Sequence, residues 1–315
     1  MLAILIGLTI GIGLPLQTSI NSRLRHSVGS PFLASLISFA VGTVFLAVMT
    51  LLIRHSLLFS TALLTQQPAW IWLGGLLGIV YLTGNILLFP KLGSVQTVIM
   101  PVLGQILAGL LIDNFGWFSS PVSHLSVSRV LGALLVLLGV LGVVALDGWL
   151  HRQHQQHLVV DHTEKNGQLW FWRLFGVVAG MLSAAQTAIN GHLGQVLDSA
   201  VAAALVSFFV GTIGLLLIVL VLRPKWQLLK DGQQKNPWWM WIGGMIGGLY
   251  VLGNAFLVPQ IGTGLAVVIV LVGLMSGSLL IDQFGWLESK RNPLSLAQLL
   301  GLVVMIAGVA LIRLF

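Results

Sequence analysis

Gly74-Gly75-Leu76-Leu77-Gly78-Ile79-Val80-Tyr81-Leu82-Thr83-Gly84-Asn85 returns 169 residues later as Gly243-Gly244-Met245-Ile246-Gly247-Gly248-Leu249-Tyr250-Val251-Leu252-Gly253-Asn254. The tyrosine, the asparagine and most of the glycines hold their places. The same offset links Gln17-Thr18-x-x-Asn21 to Gln186-Thr187-x-x-Asn190, and Ser38-Phe39-x-x-Gly42-Thr43 to Ser207-Phe208-x-x-Gly211-Thr212. It also links Leu111-Ile112-Asp113-x-Phe115-Gly116-Trp117 to Leu280-Ile281-Asp282-x-Phe284-Gly285-Trp286. A period this long is a duplicated domain rather than a solenoid repeat, and duplicated membrane halves are characteristic of transporters.

Composition places both copies in a bilayer. The chain is 57% hydrophobic and 7% charged, with a mean hydropathy of +1.00, whereas a soluble domain carries about 25% charge. A spanning helix needs roughly 20 mostly apolar residues. Ten segments qualify: 2–24, 31–53, 69–89, 93–112, 127–149, 170–193, 199–222, 238–258, 262–281 and 295–314. The reading is an all-α integral membrane protein with five spans in 1–149, a linker at 150–169 and five spans in 170–315. The first segment lacks a basic start and has a mid-chain counterpart, which argues against a cleaved signal. With no cysteine, disulfides and thiolate chemistry are excluded. The pI near 10.4 reflects basic residues flanking spans, not a nucleic-acid surface.

Loop charge sets the topology. Arg23, Arg25, Lys91, Arg152, Lys165, Arg173, Arg223, Lys225, Lys230, Lys235, Lys290 and Arg291 lie beside the connections after odd-numbered spans; Arg54, Arg129 and Arg313 lie opposite. The positive-inside rule then puts both termini outside and the 150–169 linker in the cytoplasm. The loop after span seven holds four basic residues, but its equivalent after span two holds only Arg54. Five spans per copy is odd, so the second copy enters the other way up. The expectation is an inverted repeat. Pro90 and Pro259, followed by Gly93 and Gly262, predict short connections, whereas Pro15 and Pro101 are candidate kinks.

The Gln17-x-x-x-Asn21 and Ser38-Phe39-x-x-Gly42-Thr43 strings, the glycine-rich third span ending in Gly84-Asn85, and Ile112-Asp113-x-Phe115-Gly116-Trp117 resemble the YdcZ-like branch of the drug/metabolite transporter superfamily. The likeness extends to the fused form, with both five-helix halves on one chain. It implies a bacterial inner-membrane location and secondary transport of small molecules. Small multidrug members of that superfamily carry a buried carboxylate in the first helix; this chain has Gln17 and Asn21 there, and all its Asp and Glu lie in loops or at span ends. A cation–proton antiporter built on a membrane carboxylate is disfavoured unless Asp113 or Asp282 serves.

Polar residues in spans are the candidate site. Gln17 and Asn21, like Gln186 and Asn190, lie four apart on one helical face, and an amide facing lipid would lose its hydrogen bonds. They either line a cavity between the halves or join helices. Tyr81 with Asn85, and Tyr250 with Asn254, make a second pair of faces suited to a planar or polar solute, unless the glycines serve packing alone. Gln96 and Gln105 face apolar counterparts, Leu265 and Leu274, so the cavity is expected to be polar on one side only. Asp113 and Asp282 read as caps for the following turn, or as gating carboxylates that pair with another helix. His151, His154 and His157 beside Asp161 and Glu164 read as solvated linker rather than a metal clip. Trp70, Trp72, Trp238, Trp239 and Trp241 read as an aromatic belt, with a cage for a quaternary ammonium as the alternative.

The functional expectation is a secondary transporter of a small organic metabolite or drug-like solute, working by alternating access. A membrane scaffold or lipid-handling protein is the alternative. No enzyme motif, phosphate-binding loop or cofactor signature stands in the spans. The expected partners are the bilayer and a small-molecule substrate, with protons left open as a coupling ion. Two repeats on one chain make a monomer sufficient.

Overall fold

The computed structural model describes residues 1–58, 65–146, 166–226, 236–288 and 294–314. Over these residues the chain is all-helical, with helices α1 Leu2–Val28, α2 Pro31–Arg54, α3 Gly74–Phe115, α4 Val127–Leu141, α5 Asn166–Val196, α6 Ala200–Leu222, α7 Gly243–Ile261, α8 Thr263–Phe284 and α9 Leu296–Leu314. Nine segments among the described residues are long and apolar enough to cross a membrane. Large side chains such as Leu52, Leu217 and Val303 are exposed on the outside of the bundle, as lipid-facing positions require.

Local chemistry sets the helix ends. Ser30 accepts from the Leu33 N–H before Pro31, and its equivalent Ser199 accepts from the Ala202 N–H. Both are N-caps at matching places. Gly116 and Gly285 adopt left-handed conformations that close α3 and α8. Three expectations shift. The helices α1 and α5 run past 24 and begin before 170, because nothing in their polar ends breaks them. The α4 helix ends at Leu141 and widens into a π turn over Gly142–Leu146. The histidine-rich linker lies outside the described residues.

The 42-residue α3 covers most of one expected span, 69–89, and all of another, 93–112. Drawn straight it would reach about 63 Å, twice a bilayer core. It is not straight. A Cβ at Gly176 of α5 would lie 2.9 Å from the Met100 Cβ and 3.4 Å from a Leu88 methyl. Twelve residues of regular helix would hold those two about 18 Å apart, so the chain folds back between them. The expected loop is a sharp bend that keeps helical backbone. In the second half the break is open: α7 stops at Ile261, Gly262 has φ 80°, and α8 starts at Thr263. Only glycine takes that φ cheaply.

Packing between the copies is reciprocal. Phe39 stacks on Phe208, its own equivalent, with centroids 4.9 Å apart. The Thr43 and Thr212 hydroxyls, also equivalent, hydrogen-bond at 2.8 Å. Gly42 leaves room for the Phe208 ring and Gly211 for the Phe39 ring. Residue i meeting j while j meets i is the mark of a two-fold contact. Between α4 and α9, Gly132 abuts the Gly308 carbonyl and Gly139 the Gly301 carbonyl. Since 132 is equivalent to 301 and 139 to 308, the order reverses and the two helices run antiparallel. A core of Val102, Ile106, Val136, Leu271, Met275 and Met305 fills the space beside them.

Candidate transport site

A small cavity lies where the copies meet, with Tyr81 and Tyr250, themselves equivalent, both in its wall. The Tyr81 hydroxyl is within hydrogen-bonding reach of Asn85 and Gln105, and the Tyr250 hydroxyl of Thr187, Ser183 and Asn254. Gln105 Nε2 donates to Ser183 Oγ at 3.2 Å, and the Thr187 hydroxyl donates to the Ser183 carbonyl at 3.0 Å. Leu14, Leu271, Leu274, Val267 and Val270 complete the wall. The cavity has space for about one water.

The proposed amides divide into two groups. Tyr81, Gln105 and Tyr250 line the cavity, with Asn85 and Asn254 one step behind the tyrosines; the Asn254 Nδ2 donates to the Tyr250 carbonyl at 3.0 Å. Gln17 and Asn21 instead press against Gly247 and Gly243 of α7, and Gln186 and Asn190 against Gly78 and Gly74 of α3. These four join each copy to the other's glycine-rich helix. Without a Cβ those glycines let an amide lie flat on the backbone. The side chain of Gln96 lies outside the described residues. None of the tryptophans lines the cavity; Trp70 stacks on His192 at 5.4 Å and meets the Phe118 ring edge-on at 5.5 Å, while Trp238 is exposed.

Asp113 is a cap, but for a helix of the other copy. One carboxylate oxygen accepts from the Thr263 N–H (2.8 Å) and the Ser120 hydroxyl (3.0 Å); the other accepts from the Gly264 N–H (2.8 Å). Those amides open α8, whose N-terminal dipole favours a negative charge. Arg129 of α4 adds an ion pair at 3.3 Å and donates to the Ser123 carbonyl. Both side chains are buried, so Arg129 is no free loop charge. Its equivalent, Gln298, turns back on its own helix: Ser295 N–H donates to Gln298 Oε1 (2.9 Å) and Gln298 N–H to Ser295 Oγ (3.2 Å). That is a capping box. With arginine at the matching place, the first copy gives up that box and reaches Asp113 instead.

Sequence reasoning missed Ser183 and Thr187. The signal was present, since Ser183 is equivalent to Leu14 and so marks a divergence between copies like that of Gln105 and Leu274.

Known proteins share this fold. A solved crystal structure superposes on 98% of this chain and 97% of its own at a TM-score of 0.68; at 16% identity this shows a shared fold. The “Inner membrane protein YdcZ” of Escherichia coli K12 is 28% identical over 129 residues, 41% of this chain and 85% of that protein. The family described as “Putative inner membrane exporter, YdcZ” matches residues 2–142 and again 171–311, the two matches separated by the same offset as the tyrosines. The chain belongs to that family of multi-pass inner-membrane proteins, and carries its unit twice.

Proposed function

We propose that the chain is a secondary transporter that moves a small organic solute across the inner membrane by alternating access. Ten spans form two inverted five-helix repeats, 1–149 and 170–315, joined by a cytoplasmic linker at 150–169, with both termini outside. One observation carries the reading: equivalent residues Tyr81 and Tyr250 share one central cavity, while equivalent helices α4 and α9 run antiparallel. Two copies related in this way see opposite sides of the membrane. When they exchange their slightly different conformations, the cavity opens to the other side. Membership of an exporter family supports the same direction of thought.

Asp113, with Arg129, ties the first copy to α8, and Gln298 stands where the second copy would need an arginine to repeat that ion pair. A Ser183→Cys variant tests the reading, because the natural chain has no other thiol. Labelling by a membrane-impermeant thiol reagent from both faces supports it; labelling from one face alone, or from neither, rejects it.

A further inference from the structure

We propose that the central site takes an uncharged solute with a hydrogen-bonding head and an apolar or aromatic body, held with its head toward Gln105 and Ser183. This rests on the transport reading of the same cavity. The observation behind it is how the two copies differ. Gln105 and Ser183 form a hydrogen-bonded pair at the cavity, and their equivalents, Leu274 and Leu14, line the same cavity. A polar pair in one place is matched by an apolar pair in the other, so the change is concerted. The Tyr81 hydroxyl reaches Gln105 and the Tyr250 hydroxyl reaches Ser183 and Thr187. Hydrogen-bonding groups thus gather at one pole and leucines at the other. An amphiphile fits such a site one way round.

Charge narrows the class. The wall is hydroxyl, amide and hydrocarbon, and the Asp113 carboxylate is engaged by Ser120, Thr263, Gly264 and Arg129. An ionic head would be desolvated with no counter-charge to meet it. A carboxamide or alcohol head pairs with the tyrosine, glutamine and serine groups of that pole.

Three ligands with one body and different heads test this: phenylacetamide (neutral), phenethylamine (cation) and phenylacetate (anion), titrated calorimetrically at pH 7 into the full chain in lipid nanodiscs. The amide should bind at least about tenfold tighter than either ion. Gln105→Leu and, separately, Ser183→Ala should each weaken it about tenfold, one hydrogen bond to a polar ligand. The first variant copies the residue already present at 274 and the second only trims an atom, so at least one folded form is available. Gln105→Glu should move the preference toward phenethylamine. Equal or tighter binding of an ion to the natural protein, no effect of both truncations, or no binding of any of the three overturns the class. The transport reading is judged separately, by two-sided thiol labelling, which needs no ligand.

Discussion

Asp113→Ala removes one carboxylate from four donors, and its cost follows from their burial. The change strips the acceptor from two backbone N–H groups and the Ser120 hydroxyl, and strands the Arg129 guanidinium. The two side chains are 0% and 7% exposed, so water does not screen the stranded charge. An unpaired buried charge costs about 3–5 kcal/mol, and a lost N-cap about 1 kcal/mol. These effects share one group and do not simply add, so the expected loss is about 4 kcal/mol. Adding Arg129→Leu removes the stranded cation and should restore about half of it. Asp282→Ala is the internal comparison: with Gln298 in place of arginine, it should cost only about 1–2 kcal/mol. Tryptophan fluorescence during reversible SDS unfolding in mixed micelles would measure all three variants against the parent. A loss below about 1 kcal/mol for Asp113→Ala, or a double variant no more stable than the single one, would refute the reasoning.

Three further outcomes are expected. A Cβ at Gly244 would collide with the Ser38 carbonyl, whereas one at Gly13 meets only an Ile246 methyl at 3.1 Å; Gly244→Ala should lose about 1–3 kcal/mol and Gly13→Ala much less, read by size-exclusion thermostability. Thr43→Cys with Thr212→Cys should cross-link under mild oxidation, because the parent hydroxyls lie 2.8 Å apart; the bond would hold the halves together after proteolysis of the linker, and their separation would count against the two-fold contact. A C-terminal alkaline phosphatase fusion should be active and a C-terminal fluorescent-protein fusion dark, since loop charge predicts the terminus outside; the opposite pattern reverses the orientation but not the inversion.

The sequence carried the architecture further than it carried the site. The offset of 169 located equivalent residues, and these are the ones that touch: Phe39 with Phe208, Thr43 with Thr212, Tyr81 beside Tyr250. Helical periodicity placed the amides on inward faces but could not separate Gln17, which packs on a glycine of the other copy, from Gln105, which meets the cavity. That depends on which helix lies opposite, and the opposing helix is set by contacts between copies. The target of Asp113 was hidden for the same reason, since Thr263 lies 150 residues away. The reversal within α3 was legible as a short connection after Pro90, but not that one helix, Gly74–Phe115, runs through it. Ser183 was legible in principle, as the one serine replacing Leu14 in an otherwise shared polar face.

The most direct measurement of alternating access is the reactivity of one cavity position from each face. Single cysteines replacing Ser183 and Leu14, which line the same cavity from opposite copies, would be compared with a lipid-facing control at Leu217. In sealed right-side-out and inside-out vesicles, both cavity thiols should react with an impermeant reagent from either face, at least about tenfold faster than the control, because a site shared by two inverted repeats opens to each side in turn. Reaction from one face alone, or no faster than Leu217→Cys, would contradict the account.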